Sequence, residues 1–167
     1  MSRLLAIDPG LRCCGVAVSE DGRLIACGLV KNPHKVARNG IAWGAMAREV
    51  GLWSRAFGPF DRVRCETPQV YLPGHTAGKR VDPADLLNLQ GVVGALCATF
   101  DQVETVLPSD WKGQLPKDVC EGRIRLRLDE QERQVLEAVY LAPSLRHNVV
   151  DAVGIMLDGL GRFKRLV

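Results

Sequence analysis

Three short apolar or β-branched runs follow one another so closely in the first thirty residues that no helix fits between them. They are Arg3 to Asp8, Gly15 to Ser19 and Leu24 to Val30. Parallel neighbours need a crossover of a dozen residues or more, so this spacing permits only antiparallel pairing. Glu20-Asp21-Gly22, between the second and third runs, has the turn chemistry of a hairpin. The chain therefore opens as a three-stranded antiparallel meander.

The period then changes. From Val36 to Phe57 the apolar residues Ile41, Ala45, Ala47, Leu52, Trp53 and Ala56 recur near every 3.6 positions until Gly58-Pro59 stops them, which predicts a helix. Arg62 to Glu66 reads as a fourth strand closed by Thr67-Pro68, and Gln69 to Val81 as a polar loop. Asp82-Pro83, a cap followed by proline, introduces a helix over Ala84 to Phe100. Val103 to Leu107 is a fifth strand, and Pro108 to Pro116 a loop. Helices follow around Lys117 to Arg127 and Glu130 to Ala138, and a last one runs from Ser144 or Asn148 to about Gly161. This order predicts an α/β fold with a five-stranded mixed sheet, first antiparallel and then parallel, flanked by helices.

The 167 residues, 47% of them hydrophobic, suit a single domain spanning 1–167. A formal net charge of +3 allows partners of either sign. The six cysteines lie mostly in apolar runs with no CxxC spacing, and read as reduced core residues. With no basic segment leading into an apolar leader and no run near the roughly 18 residues of a membrane span, the expectation is a cytoplasmic protein that does not enter a membrane.

Asp8 and Glu66 each end an apolar strand, and Asp151 lies within the apolar run Val149 to Leu157. Burying a lone carboxylate costs several kcal/mol or more unless a cation or hydrogen bonds compensate it, so three acids on three buried elements suggest a shared cation. Carboxylate oxygens are the ligands of Mg²⁺ or Mn²⁺, and two such ions about 3.5–4 Å apart can serve phosphodiester cleavage. Each acid also has a plainer role open to it. Asp8 could start the Asp-Pro-Gly turn, Glu66 could pair with Arg62 or Arg64, and Asp151 could be a first-turn acid at a helix dipole.

The stretch AIDPGLRCCGVAV resembles the first motif of the RuvC-type Holliday-junction resolvases of the RNase H-like superfamily, in which Asp-Pro-Gly ends the first strand and a hairpin strand follows. CETPQVY is similar to the second motif, a strand-end Glu soon followed by Gln-Val-aromatic, although Thr67 and Pro68 are extra here. NVVDAVGI is similar to the third, with Asp-Ala opening the last helix. The motifs occur in order over nearly the whole chain.

The resemblance implies an RNase H-like sheet with helices on both faces, and Asp8, Glu66 and Asp151 as ligands of two Mg²⁺ or Mn²⁺ ions. The family has Asp or His three positions before its final Asp, where this chain has Asn148. With about 100° between successive helical residues, His147 lies about 40° around the helix from Asp151 and Asn148 about 60°, so either can face the site. His147 is preferred as ligand or proton relay, although Asn148 followed by Asp151 also reads as a capping box that would leave His147 outside the helix. Tyr71 stands where the family has an aromatic that stacks on DNA bases, or else packs its loop onto the domain. Lys112 and Lys117 fall in the segment where the family carries two phosphate-contacting lysines. Five basic and two acidic residues between Lys112 and Arg127 give that segment a net positive charge. His75, Lys79 and Arg80 in LPGHTAGKR, with Arg12, are further candidates for DNA contact. Gly91, Gly94, Ala95 and Ala98 in GVVGALCA give the second helix a smooth face; the resemblance implies that this helix forms much of a two-fold dimer interface, and packing within the chain is the alternative.

The function implied is a homodimeric, metal-dependent endonuclease acting in DNA recombination and repair, which resolves four-way junctions by paired cuts. The alternative is a nuclease of the same fold acting on other branched DNA, RNA–DNA hybrid or structured RNA. An actin-like ATPase fits less well, since this length lacks room for two nucleotide-clamping domains, and Asn148 leaves open a DNA-binding module without catalysis.

Overall fold

The structure, a computed structural model, describes residues 1–69 and 82–163. Its elements run β1 (Arg3–Asp8), β2 (Cys13–Glu20), β3 (Arg23–Lys31), α1 (Gly40–Ser54), β4 (Arg62–Glu66), α2 (Pro83–Thr99), β5 (Val103–Val106), α3 (Pro108–Trp111), α4 (Lys117–Arg127), α5 (Glu130–Glu137) and α6 (Pro143–Gly159). The sheet order is β3-β2-β1-β4-β5, with β1, β2 and β3 antiparallel and β1, β4 and β5 parallel. This is the mixed sheet expected from the meander and the later crossovers. At the β2–β3 hairpin both Asp21 and Gly22 take left-handed backbone, the geometry of a two-residue turn that follows the strand twist.

Of the boundaries that differ from the sequence reading, two helix starts have a clear local reason. Helix α1 starts at Gly40 rather than Val36, because Ala37 donates its amide to the Leu11 carbonyl and Asn39 caps the helix by accepting from the Ala42 amide. Helix α6 starts at Pro143, with proline in the first turn and no side-chain cap, so Asn148 lies inside the helix and forms no capping box. The segment after β5 also holds the short helix α3, which the loop assignment missed.

Strand alternation splits the core in two. Leu5, Ile7, Val16, Val18, Val63 and Cys65 pack against α1 and α2, whereas Leu4, Ala6 and Ala17 pack against α4, α5 and α6. Helix α6 comes closest to the sheet at Gly15, where a Cβ would stand 1.9 Å from the Asn148 carbonyl oxygen. Only glycine permits that approach, and Gly15 is the β2 residue paired with Asp8.

Most cysteines are in the core as expected, and burial pushes the Cys14 and Cys27 thiols up to about 12. Cys97 is the correction. Helix α2 turns Val92, Val93 and Leu96 inward, which leaves Cys97 exposed on the outer side. Among the described residues no helix is long and apolar enough to cross a membrane.

Candidate active site

The two-residue period of the strands decides where the acids go. In β1, Leu4 and Ala6 face α6, and Asp8 continues that parity. In β4, Val63 and Cys65 face α1 and α2, which leaves Arg62, Arg64 and Glu66 on the α6 side. The register pairs Ile7 with Cys65, so Asp8 and Glu66 end adjacent parallel strands on the same face. Asp151 lies one turn along α6 from its contact with Gly15. Three carboxylates thus meet at the carboxyl ends of β1 and β4, the end of an open α/β sheet where ligands characteristically bind.

Helix α3 closes this group from the β5 side. The Lys112 ammonium lies 3.3 Å from Glu66 Oε2 and 3.2 Å from Asp151 Oδ2, bridging the two. The Trp111 indole N–H donates to the same Glu66 Oε2 at 2.7 Å. Trp111 is fully buried, and its position depends on Gly154 of α6, where a Cβ would come within 2.4 Å of the indole ring. Lys112 crosses that ring with its ammonium 4.7 Å from the centroid.

The electrostatics are those of carboxylates held together against their repulsion. Burial, and then the charges of Glu66 and Asp151, raise Asp8 well above the ordinary carboxylate range, with Lys112 and Lys117 opposing. Burial also raises Glu66, against the pull of Lys112 and the Trp111 hydrogen bond. Lys112 is raised as well, because the charges of Glu66, Asp151 and Asp8 outweigh its own desolvation. The two lysines do not neutralise the acids, and a buried all-oxygen donor set left in that condition suits a hard divalent cation. Among the described residues, no three of His, Cys, Asp or Glu already stand in ligand geometry; Lys112 sits between Glu66 and Asp151.

The remaining sequence candidates divide by position. His147 is half-buried in α6, one turn before Asp151. The Asn148 side-chain amide donates to Cys13 Sγ at 3.1 Å. Lys117 begins α4, exposed but with its charge felt at Asp8. Arg12 is exposed just before β2, where its charge and that of Lys31 reach Cys13. Tyr71, His75, Lys79 and Arg80 lie outside the described residues.

Glu66 does not pair with Arg62 or Arg64. Arg62 pairs with Glu104 at 3.1 Å and Arg64 with Asp158 at 2.7 Å. Nor is Asp151 a first-turn acid, since α6 begins eight residues earlier. Sequence reasoning missed Trp111, although a tryptophan between the polar Asp110 and Lys112 was a usable signal.

No protein-family model matches this sequence, and no curated protein matches it. Solved structures do. Thermus thermophilus RuvC in complex with a Holliday junction substrate superposes with a TM-score of 0.64 at 20% identity, over 98% of this chain and 94% of that one. The yeast mitochondrial Holliday junction resolvase Ydc2 gives 0.60 at 12% identity, over 97% of this chain and 80% of that one. A second Thermus thermophilus RuvC structure gives 0.57 at 21% identity, over 98% and 99%. The five-stranded mixed sheet with its helices is thus the RuvC-type, RNase H-like fold.

Proposed function

We propose that this chain is a single-domain, homodimeric, Mg²⁺- or Mn²⁺-dependent endonuclease that resolves four-way DNA junctions by paired cuts. The carrying observation is the meeting of Asp8, Glu66 and Asp151 at one end of the sheet, in a fold shared over nearly its full length with a resolvase seen on a Holliday junction substrate. Asp8, Glu66 and Asp151, with His147, would hold two ions. When bound, such ions supply a nucleophile at neutral pH and offset charge on the phosphate oxygens. The engagement of the Asn148 amide with Cys13 supports His147 as the fourth ligand.

The chain's own residues provide position and charge. Trp111 fixes one oxygen of Glu66, so the carboxylate keeps its rotamer as substrate arrives. Lys112 and Lys117 bring positive charge to the phosphate at the cut, and Arg12, Tyr71, His75, Lys79 and Arg80 hold the DNA on either side. Helix α2 turns Leu87, Gly94, Cys97 and Ala98 outward on the face away from the core. Two copies joined there would present two matched sites to a nearly two-fold junction.

The test is cleavage of four-way junction, flap, RNA–DNA hybrid and linear duplex substrates with Mg²⁺ or Mn²⁺, alongside light scattering. The junction should be cut in symmetric pairs by a dimer. Equal cutting of flap or hybrid by a monomer would favour the alternative nuclease.

A further inference from the structure

Lys112 is not placed as a surface lysine waiting for phosphate. Its ammonium bonds to Glu66 and Asp151 from a single position, and its side chain is only 24% exposed. Its backbone caps α3 and is followed by Gly113 in the left-handed region, while its ammonium lies over the Trp111 ring. Charge and geometry together make it the internal counter-cation of the carboxylate group.

A divalent ion ligated by carboxylates stands about 2.1 Å from their oxygens. The ammonium already claims Glu66 Oε2 and Asp151 Oδ2 at hydrogen-bonding distance. Two cations sharing those oxygens would stand within a few ångströms of each other inside a partly buried group, where their repulsion is only partly screened. Occupancy by one therefore excludes the other.

We infer that Lys112 is an exchangeable counter-cation: it holds Glu66 and Asp151 together until a divalent ion displaces it, and the released ammonium then turns to the DNA phosphate. This rests on the reading of Asp8, Glu66 and Asp151 as metal ligands. It adds that metal binding and phosphate binding are coupled through one side chain. The coupling is reciprocal, so DNA that draws Lys112 outward favours metal loading. Trp111, whose N–H stays on Glu66 Oε2, keeps that carboxylate in place during the exchange.

The test is Mn²⁺ binding to the full chain without DNA, followed by electron paramagnetic resonance. It compares the wild type with Lys112→Met, Lys112→Gln and Lys117→Met, each checked for folding by thermal melting. Removing the competitor should tighten Mn²⁺ binding about tenfold in Lys112→Met, and less in Lys112→Gln, which keeps a donor. Lys117→Met removes an equal charge outside the ion pairs and should change the affinity by no more than about threefold, the scale of screened surface charge. Equal tightening in Lys112→Met and Lys117→Met would reduce the effect to general charge and overturn the exchange. Weaker binding in Lys112→Met would also overturn it, by making Lys112 a support of the metal site. Failure of the wild type and every variant to bind Mn²⁺ would instead overturn the metal-site reading, and the exchange with it.

Discussion

Two buried carboxylate groups sit at opposite ends of the same sheet. At the hairpin end, Glu132 of α5 is 1% exposed and has a partner for each oxygen. Its Oε1 accepts from Arg162 at 2.6 Å and from the Leu24 amide at 2.9 Å, and its Oε2 from Arg162 at 2.7 Å and the Asp129 amide at 2.9 Å. Arg162 also reaches the carbonyls of Gly22 and Arg127, so one ion pair ties the hairpin, α4, α5 and the segment after α6 together. Burial alone would raise Glu132, but Arg162 and the two amides hold it below its usual range. At the other end Asp8 is raised by burial and by like charges that its lysines do not balance. Satisfied acids stabilise a fold, whereas acids held against repulsion spend stability on a site.

Glu132→Gln should show the largest effect on stability. Leaving Arg162 without its charge partner should cost about 3 kcal/mol in denaturant unfolding. Junction cleavage per folded molecule should remain at the wild-type rate, because nothing at Asp8 is touched. A loss of cleavage at full folding would mean the two ends are not independent.

Opposite slopes with pH follow from the opposite shifts. Glu132 binds its proton less tightly when folded, so its contribution is present above the ordinary value of 4.5 and is lost as pH falls through its depressed pKa. Asp8 binds its proton more tightly when folded, so its contribution is full below 3.8 and is lost as pH rises through its raised pKa. Asp8→Asn should therefore be more stable than wild type at neutral pH, by about 1 kcal/mol, with the gap closing toward about pH 4. Chemical unfolding across this range measures both slopes, and a gap independent of pH would remove Asp8 from the strained group.

The smallest change is expected from Trp111→Phe, which keeps most of the packing and removes the N–H to Glu66. Stability should fall by about 0.5 kcal/mol, because Glu66 Oε2 keeps Lys112 as a partner. The acid limb of the pH–rate profile should move upward, since ionised Glu66 loses a hydrogen bond. A lower rate with an unmoved limb would assign Trp111 to packing alone.

Much of this contrast was open to sequence reading, for reasons that differ by element. Asp8 and Glu66 were legible because a strand's two-residue period and an abrupt acid after an apolar run are local signals. Asp151 was legible as an acid inside an apolar helix, but the start of α6 was not. Asn148 and Asp151 imitate a capping box, while the true start at Pro143 carries no side-chain cap. The partners were not legible at all. Lys112 meets Asp151 across 39 residues and Arg162 meets Glu132 across 30, separations that only the folded sheet brings together. Helix α3 was missed because four residues are too few for a period to show.

In the proposed function Asp8, Glu66 and Asp151 act as one catalytic group. The most direct measurement is single-turnover cleavage of a synthetic four-way junction in Mg²⁺ by Asp8→Asn, Glu66→Gln and Asp151→Asn beside the wild type. Each single change should remove cleavage while the folded protein still binds the junction. Continued cutting by any one of the three would contradict that grouping.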